Sequence, residues 1–168
     1  VTSSPDISIE EAKEILKSHK IEKLPLVNEN NVIKGLITMK DISNLEKFPF
    51  ASKDKKGRLM VGAAVGVRED YIKHVEKLLE AEVDFIVIDV ANGYTENVRR
   101  AVKEIKREFD IEVIAGNVAT AEGIEALASA EADAIRVGIG PGSACITRVV
   151  AGVGVPQLTA IIECAEAA

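Results

Sequence analysis

Four short apolar runs set the frame for this chain. They occupy 61–65, 85–89, 112–115 and 134–137, roughly 22 to 27 residues apart, and the first three lead into helix-length patterned segments. Unbroken apolar runs alternating with helical patterns predict βα units and a parallel sheet, whose strands are buried on both faces. Each run ends in a glycine-containing segment: Ala63-Ala64-Val65-Gly66, Asp89-Val90-Ala91-Asn92-Gly93, Ala115-Gly116-Asn117-Val118 and Gly138-Ile139-Gly140-Pro141-Gly142-Ser143. Polar and glycine-rich residues at the carboxyl ends of parallel strands are where a (β/α)8 barrel carries its active site, and a doubly wound sheet gathers ligands there too. Four units are half of a barrel, which takes roughly 250 residues, so the remainder is expected outside 1–168. A weak internal repeat supports the unit reading. Leu79-Glu80-Ala81-Glu82-Val83-Asp84 precedes the second run, and Ser129-Ala130-Glu131-Ala132-Asp133 precedes the fourth.

The block before the first run has a different character. Ser8-Ile9-Glu10-Glu11 reads as a capping box, followed by a helix to about His19 with Ala12, Ile15 and Leu16 on one face. Two apolar runs, 24–27 and 32–38, flank the polar turn Asn28-Glu29-Asn30-Asn31 and predict a hairpin. The charged, proline-punctuated stretch 46–57 is expected to be an exposed linker. With 47% hydrophobic and 29% charged residues, disorder is excluded as the main state; with 4% aromatics and no Trp, the core must be aliphatic. The charge sum of 21 − 27 = −6 argues against a dedicated nucleic-acid binder. No apolar run approaches the roughly 20 residues of a membrane span, and no basic-then-apolar leader opens the chain. Two cysteines, Cys145 and Cys164, are too few for a disulfide framework and fit a reducing, cytoplasmic setting. A start at Val1 and a stop inside the apolar-periodic segment 158–167 lead us to expect an internal piece of a longer protein.

The densest chemistry lies in 137–148. Three glycines within five residues let carbonyls or N–H groups turn toward one ligand, yet no Lys-Ser/Thr follows at the offset of a Walker loop. Cys145 on this loop is either a nucleophile, which needs the thiolate, or a small buried hydrophobe. Thr147 could donate or relay a proton. Asp89 either accepts from ribose hydroxyls or caps a helix or braces a loop. Asn117 and Arg136 end or sit in neighbouring strands, although an Arg in a strand is often a paired structural charge. His19 and His74 stand among exposed or charged neighbours, and no Cys/His spacing fits zinc. Cys164 reads as core. Arg99, Arg100, Lys103, Lys106 and Arg107 read as a solvated helix face balanced by Glu104 and Glu108.

The stretch 138–148 resembles the catalytic-cysteine loop of the inosine-5′-monophosphate dehydrogenase and GMP reductase family, and the pattern continues from Val149 through Gly152, Gly154, Pro156 and Gln157 to Ala160. Gly57-Arg58-Leu59-Met60-Val61-Gly62-Ala63-Ala64-Val65-Gly66 and Ala115-Gly116-Asn117-Val118-Ala119-Thr120 look like further family signatures. Lys20-Ile21-Glu22-Lys23-Leu24-Pro25-Leu26-Val27 and Gly35-Leu36-Ile37-Thr38-Met39-Lys40-Asp41-Ile42 resemble a CBS motif. The resemblance implies an α/β chain: a CBS motif over 1–45, second of a pair, a linker over 46–57, and part of a (β/α)8 TIM barrel over 58–168. It implies that Cys145 attacks C2 of a purine nucleoside monophosphate and that hydride leaves to NAD, with Thr147 assisting. Ser143 would contact the nucleotide phosphate, and Asp89, Asn117, Arg136, Gly138, Ile139 and Gly140 the dinucleotide. The carbonyls of Gly140, Gly142 and Cys145 would form half of a potassium ion site. Thr38 and Asp41 would hold a regulatory adenine or guanine nucleotide, and the complete protein would be a homotetramer.

Departures from the family pattern keep three functions open. Asp89-Val90-Ala91-Asn92-Gly93-Tyr94 and the terminal 163–168 lean toward reductases, which convert GMP to IMP with NADPH. The CBS block and 151–157 lean toward dehydrogenases, which oxidise IMP to XMP. The third reading is a non-catalytic nucleotide sensor. Glu82 and Glu131 stand where the family usually has glycine at a helix end; a left-handed backbone there costs roughly 1 kcal/mol each. The flap and its water-activating arginine are expected beyond Ala168. Residues 1–168 alone are therefore expected to be an inactive, open half-barrel with exposed apolar edges.

Overall fold

The computed structural model describes residues 1–55 and 57–168, which fall into two compact units, Val1–Ser52 and Lys53–Ala168. The first unit runs α1 (Ile9–Ser18), β1 (Lys23–Val27), β2 (Ile33–Thr38) and α2 (Met39–Lys47). Ser8 and Glu11 form the predicted capping box at α1. β1 and β2 pair antiparallel with Leu24 opposite Ile37, and Asn28 Oδ1 accepts from Val32 N at 2.9 Å to close the turn. Ala12, Leu16, Leu24, Leu26 and Ile42 make the core. The expected linker starts too early: α2 continues to Lys47, and Glu46 on it pairs with Lys13 of α1. Further on, Asp54 accepts from both Arg58 N and Arg58 Nε, at 2.8 and 2.7 Å, so this end of the stretch is also structured. Lys56, within the expected linker, lies outside the described residues.

The second unit contains β3 (Gly62–Val65), α3 (Tyr71–Glu80), β4 (Phe85–Asp89), α4 (Glu96–Glu108), β5 (Glu112–Val118), α5 (Ala121–Ala128), β6 (Ala134–Val137), α6 (Thr147–Val150) and α7 (Gln157–Ala167). The four strands are parallel in the order β3-β4-β5-β6. Chain order equals spatial order, so crossovers of one hand carry α3, α4 and α5 to the same face, where α7 joins them. The core shows it: Val65, Ile86, Ile88, Val113 and Ala115 share one face of the register and pack with Val75 of α3, Val98 and Val102 of α4, Ile124 and Leu127 of α5 and Cys164 of α7. The opposite face, with Phe85, Val87, Asp89, Ile114 and Arg136, has no buried residue among these. Within these four strands the order shows no reversal point, an arrangement consistent with part of a barrel. β5 is longer than its apolar run because Gly116, a weak strand former, still pairs with Asp89 on one side and Arg136 on the other.

The internal repeat is a repeated helix-to-strand device. Glu82 and Glu131 adopt φ of 58° and 69°. Val83 N then donates to Leu78 O and Glu82 N to Leu79 O, and Ala132 N to Leu127 O and Glu131 N to Ala128 O, so both α3 and α5 end in a Schellman motif. The next residue is the Asp of the repeat, and each brackets the amide of an earlier strand segment. Asp84 Oδ2 accepts from Val61 N at 2.7 Å while Asp84 N donates to Val61 O; Asp133 Oδ2 accepts from Val113 N at 2.7 Å while Asp133 N donates to Val113 O. Lys106 joins the second bracket, at 2.8 Å from Asp133 and 3.2 Å from Ile111 O, so it is not part of a merely solvated face. Glu104 likewise accepts from the Tyr71 hydroxyl.

Candidate active site at the strand carboxyl ends

Asp89 and Arg136 stand on the uncovered face, each opposite Gly116, one on either side. With no Cβ between them the side chains meet, Arg136 Nη1 to Asp89 Oδ2 at 2.8 Å; a Cβ on Gly116 would lie 2.7 Å from Arg136 Cβ. Both side chains keep over 40% of their surface exposed, so the pair orients more than it stabilises. Asp89 is not a helix cap, since Thr95 Oγ1 accepts from Val98 N at the start of α4. The Asn117 backbone holds the β4 exit: Asn117 N donates to Val90 O at 3.0 Å, and Gly93 N to Asn117 O at 2.7 Å. The Asn117 side-chain amide makes no hydrogen bond among the described residues.

The loop after β6 begins with Gly138 and Gly140 at φ of 135° and 85°, a left-handed region that side chains disfavour. It turns back through Cys145 N donating to Gly142 O at 3.1 Å, just before the short α6. Cys145 is half-buried, with Sγ 3.2 Å from Thr147 Oγ1. The thiol donates there, and once it ionises the hydroxyl donates back. The Thr147 hydroxyl, the Thr147 N–H, the Arg148 charge and the Gly140 N–H together lower the thiol's pKa from its ordinary value, against the opposing effect of burial. Cys164 is the contrast: it is buried, and burial pushes its thiol up. Cys145 thus lies outside the buried core, to which Cys164 belongs.

Ser143 and Gly142 are exposed on the loop, and Ile139 is half-buried with its carbonyl accepting from Val155 N at 3.0 Å. Thr38 and Asp41 lie in the first unit and form a capping box at α2, where Thr38 Oγ1 donates to Asp41 Oδ2 at 2.7 Å and accepts from Asp41 N at 3.1 Å. Sequence reasoning gave no role to Arg148 and Gln157. The Arg148 stem fills the space beside Gly140 and Gly154, and Gln157 Nε2 donates to Val137 O at 2.9 Å. Their only sequence signal was membership in the patterned stretch 138–160.

A family model described as IMP dehydrogenase / GMP reductase domain matches residues 10–168. The chain belongs to the IMP dehydrogenase/GMP reductase family. Among its relatives, inosine-5′-monophosphate dehydrogenase of Bacillus subtilis is 57% identical over 166 residues, 98% of this chain and 34% of that protein. The Nitrosopumilus maritimus enzyme of the same name is 55% identical over 167 residues, 99% of this chain and 35% of that protein. The chain thus spans about a third of the length of these relatives. Among solved structures, GMP reductase of Trypanosoma brucei in complex with guanosine 5′-triphosphate is 41% identical with a TM-score of 0.81, over 99% of this chain and 41% of that one. The family is one of oxidoreductases, and among the described residues no helix is long and apolar enough to cross a membrane.

Proposed function

We propose that the whole protein is a cytoplasmic IMP dehydrogenase, and the observation that carries this is Cys145, a thiol of lowered pKa on a glycine loop at a strand carboxyl end with the Thr147 hydroxyl 3.2 Å away. The Cys145 thiolate adds to C2 of the purine and forms the C–S bond, and the C2 hydrogen departs with its electron pair. NAD, when bound, supplies the acceptor for that hydride. Water then cleaves the C–S bond of the thioimidate, giving XMP and returning the thiol its proton. Thr147 steadies the thiolate, the exposed Ser143 hydroxyl meets the nucleotide phosphate, and Asp89, oriented by Arg136, offers its second oxygen to a ribose hydroxyl. Asn117, with an unengaged amide, and the backbone of 138–140 line the dinucleotide side.

A potassium ion takes carbonyl oxygens as ligands. The Gly140 and Cys145 carbonyls accept no hydrogen bond among the described residues and Gly142 O accepts one, so this donor set fits. We read 58–168 as part of a (β/α)8 barrel, supported by the sequential parallel order and one-sided helices, and 1–45 as one CBS motif of a pair. Thr38 and Asp41 belong to a regulatory adenine- or guanine-nucleotide site there, and the assembly is a homotetramer.

Identity of 55–57% to dehydrogenases against 41% to the solved reductase favours IMP as the substrate. The second reading, GMP reductase, is favoured by the Asn92-Gly93-Tyr94 segment. The test follows nicotinamide absorbance with the full-length protein in two mixtures, IMP with NAD and potassium, and GMP with NADPH. IMP-dependent NADH formation that falls about 10³-fold or more in Cys145→Ala is expected. GMP-dependent NADPH consumption would give the reductase instead, and neither activity would leave the nucleotide-sensing reading.

A further inference from the structure

The segment between α6 and α7 serves none of the steps above, yet it grips the start of the cysteine loop. Gln157, in the first turn of α7, donates Nε2 to Val137 O at 2.9 Å. Gly138 N donates to Val118 O at 2.8 Å, and Val155 N donates to Ile139 O at 3.0 Å. Residues 137, 138 and 139 are therefore tied in turn, 137 and 139 to the stretch 155–157 and 138 to the end of β5, at the point where β6 ends. Gln157 sits so close over Gly138 that a Cβ there would meet Oε1 at 2.4 Å. Beyond this anchored stretch the loop has one internal backbone bond, Cys145 N to Gly142 O, before α6 begins.

We propose that Gln157 is a positioning residue for the cysteine loop: by holding Val137 O it fixes the direction in which 138–145 leaves the sheet, and with it the place of the Cys145 sulfur against Thr147 and the Gly140 N–H. A side-chain amide suits the task, because it supplies a donor to a backbone carbonyl without putting a charge beside the thiol. The catalytic consequence rests on Cys145 being the nucleophile; the latch itself does not.

Gln157→Met keeps the length of the side chain and its compatibility with a helix but removes the donor. On the full chain, two quantities are read: amide hydrogen exchange over 138–147, and the pH dependence of alkylation at Cys145, separated from Cys164 by mass spectrometry. The expected result is a three- to tenfold rise in exchange, about what loss of one neutral hydrogen bond gives, confined to that loop. The alkylation profile moves to higher pH, and the melting temperature and the exchange of α4 and α5 stay as in the parent. Gln157→Lys, which returns a donor on a long stem, restores slow exchange. Parent-like exchange over 138–147 in Gln157→Met would overturn the proposal, as would a general loss of stability with the thiol profile unmoved. If Cys145 in the parent titrates like an ordinary thiol, the nucleophile reading falls, and exchange still decides the latch.

Discussion

A thiol attacks carbon as the thiolate, so what matters at Cys145 is which groups favour the ionised form. Hydrogen bonding from Thr147 leads, and the Arg148 charge and the Gly140 N–H follow. Removing the hydroxyl while keeping the shape, Thr147→Val, should slow alkylation of Cys145 about tenfold at neutral pH, the scale of one hydrogen bond to a charged group. The deficit should vanish at high pH, where the thiol ionises unaided, and Thr147→Ser should behave like the parent; a Val variant with an unchanged profile would put the activation elsewhere. That Cys145 and Thr147 are neighbours was legible in the sequence, because they stand two apart on one glycine loop. Spacing left Cys145 open between nucleophile and core, and only the family resemblance assigned the pair a role. The meeting of Asp89 with Arg136 was not legible, since it depends on strands β4 and β6 flanking Gly116 in register. Gln157 was also hidden, because spacing along the chain does not say which carbonyl a side-chain amide will reach.

At the scale of elements, the two αβ turns are the most informative feature. Their glutamates occupy a left-handed position that glycine holds at less cost. Glu131→Gly should raise the unfolding free energy by about 0.5–1 kcal/mol, net of the freedom glycine adds to the unfolded chain, as read from the denaturant midpoint. Glu82→Gly should gain less, because it also gives up the 3.2 Å contact with Arg58. Asp133 ties stability to pH. Burial raises its pKa, but Lys106, the Val113 N–H and its own backbone together hold it below the ordinary value. A depressed folded pKa contributes stability above the unfolded value of about 3.9 and loses it as pH falls through the folded one. The stability gap between the parent and Asp133→Asn, open at neutral pH, should therefore close as pH drops from about 4 through that lower value. A gap independent of pH would mean the carboxylate charge is irrelevant. The sequence showed the repeat but not its job, since a bracket between Asp133 and Val113 joins residues that only folding brings together.

On the scale of the whole molecule, the second unit covers one face of its parallel sheet and leaves the other open, although parallel sheets are ordinarily covered on both. The ring of Phe85 lies across the place where a Cβ of Gly62 would stand, and Val87 and Ile114 are only half-buried. Residues 1–168 expressed alone should bind a hydrophobic dye and self-associate with concentration, as sedimentation would read; a monomer with a sharp melt and no dye binding would refute this. That these runs are parallel strands was legible in the sequence, because each is continuous and evenly spaced. Their lateral order was not, since the same runs allow a doubly wound sheet. Nor was the end of β5, because Gly116 and Asn117 carry no strand signal of their own. The paired turns have a temporal consequence. Asp84 and Asp133 each clamp a segment already synthesised when they emerge, and most strand contacts join neighbours in sequence. Such a chain can be laid down in the order it is made, each unit docking on the last. The bracket that sets register is thus also a ratchet for growth from the amino end.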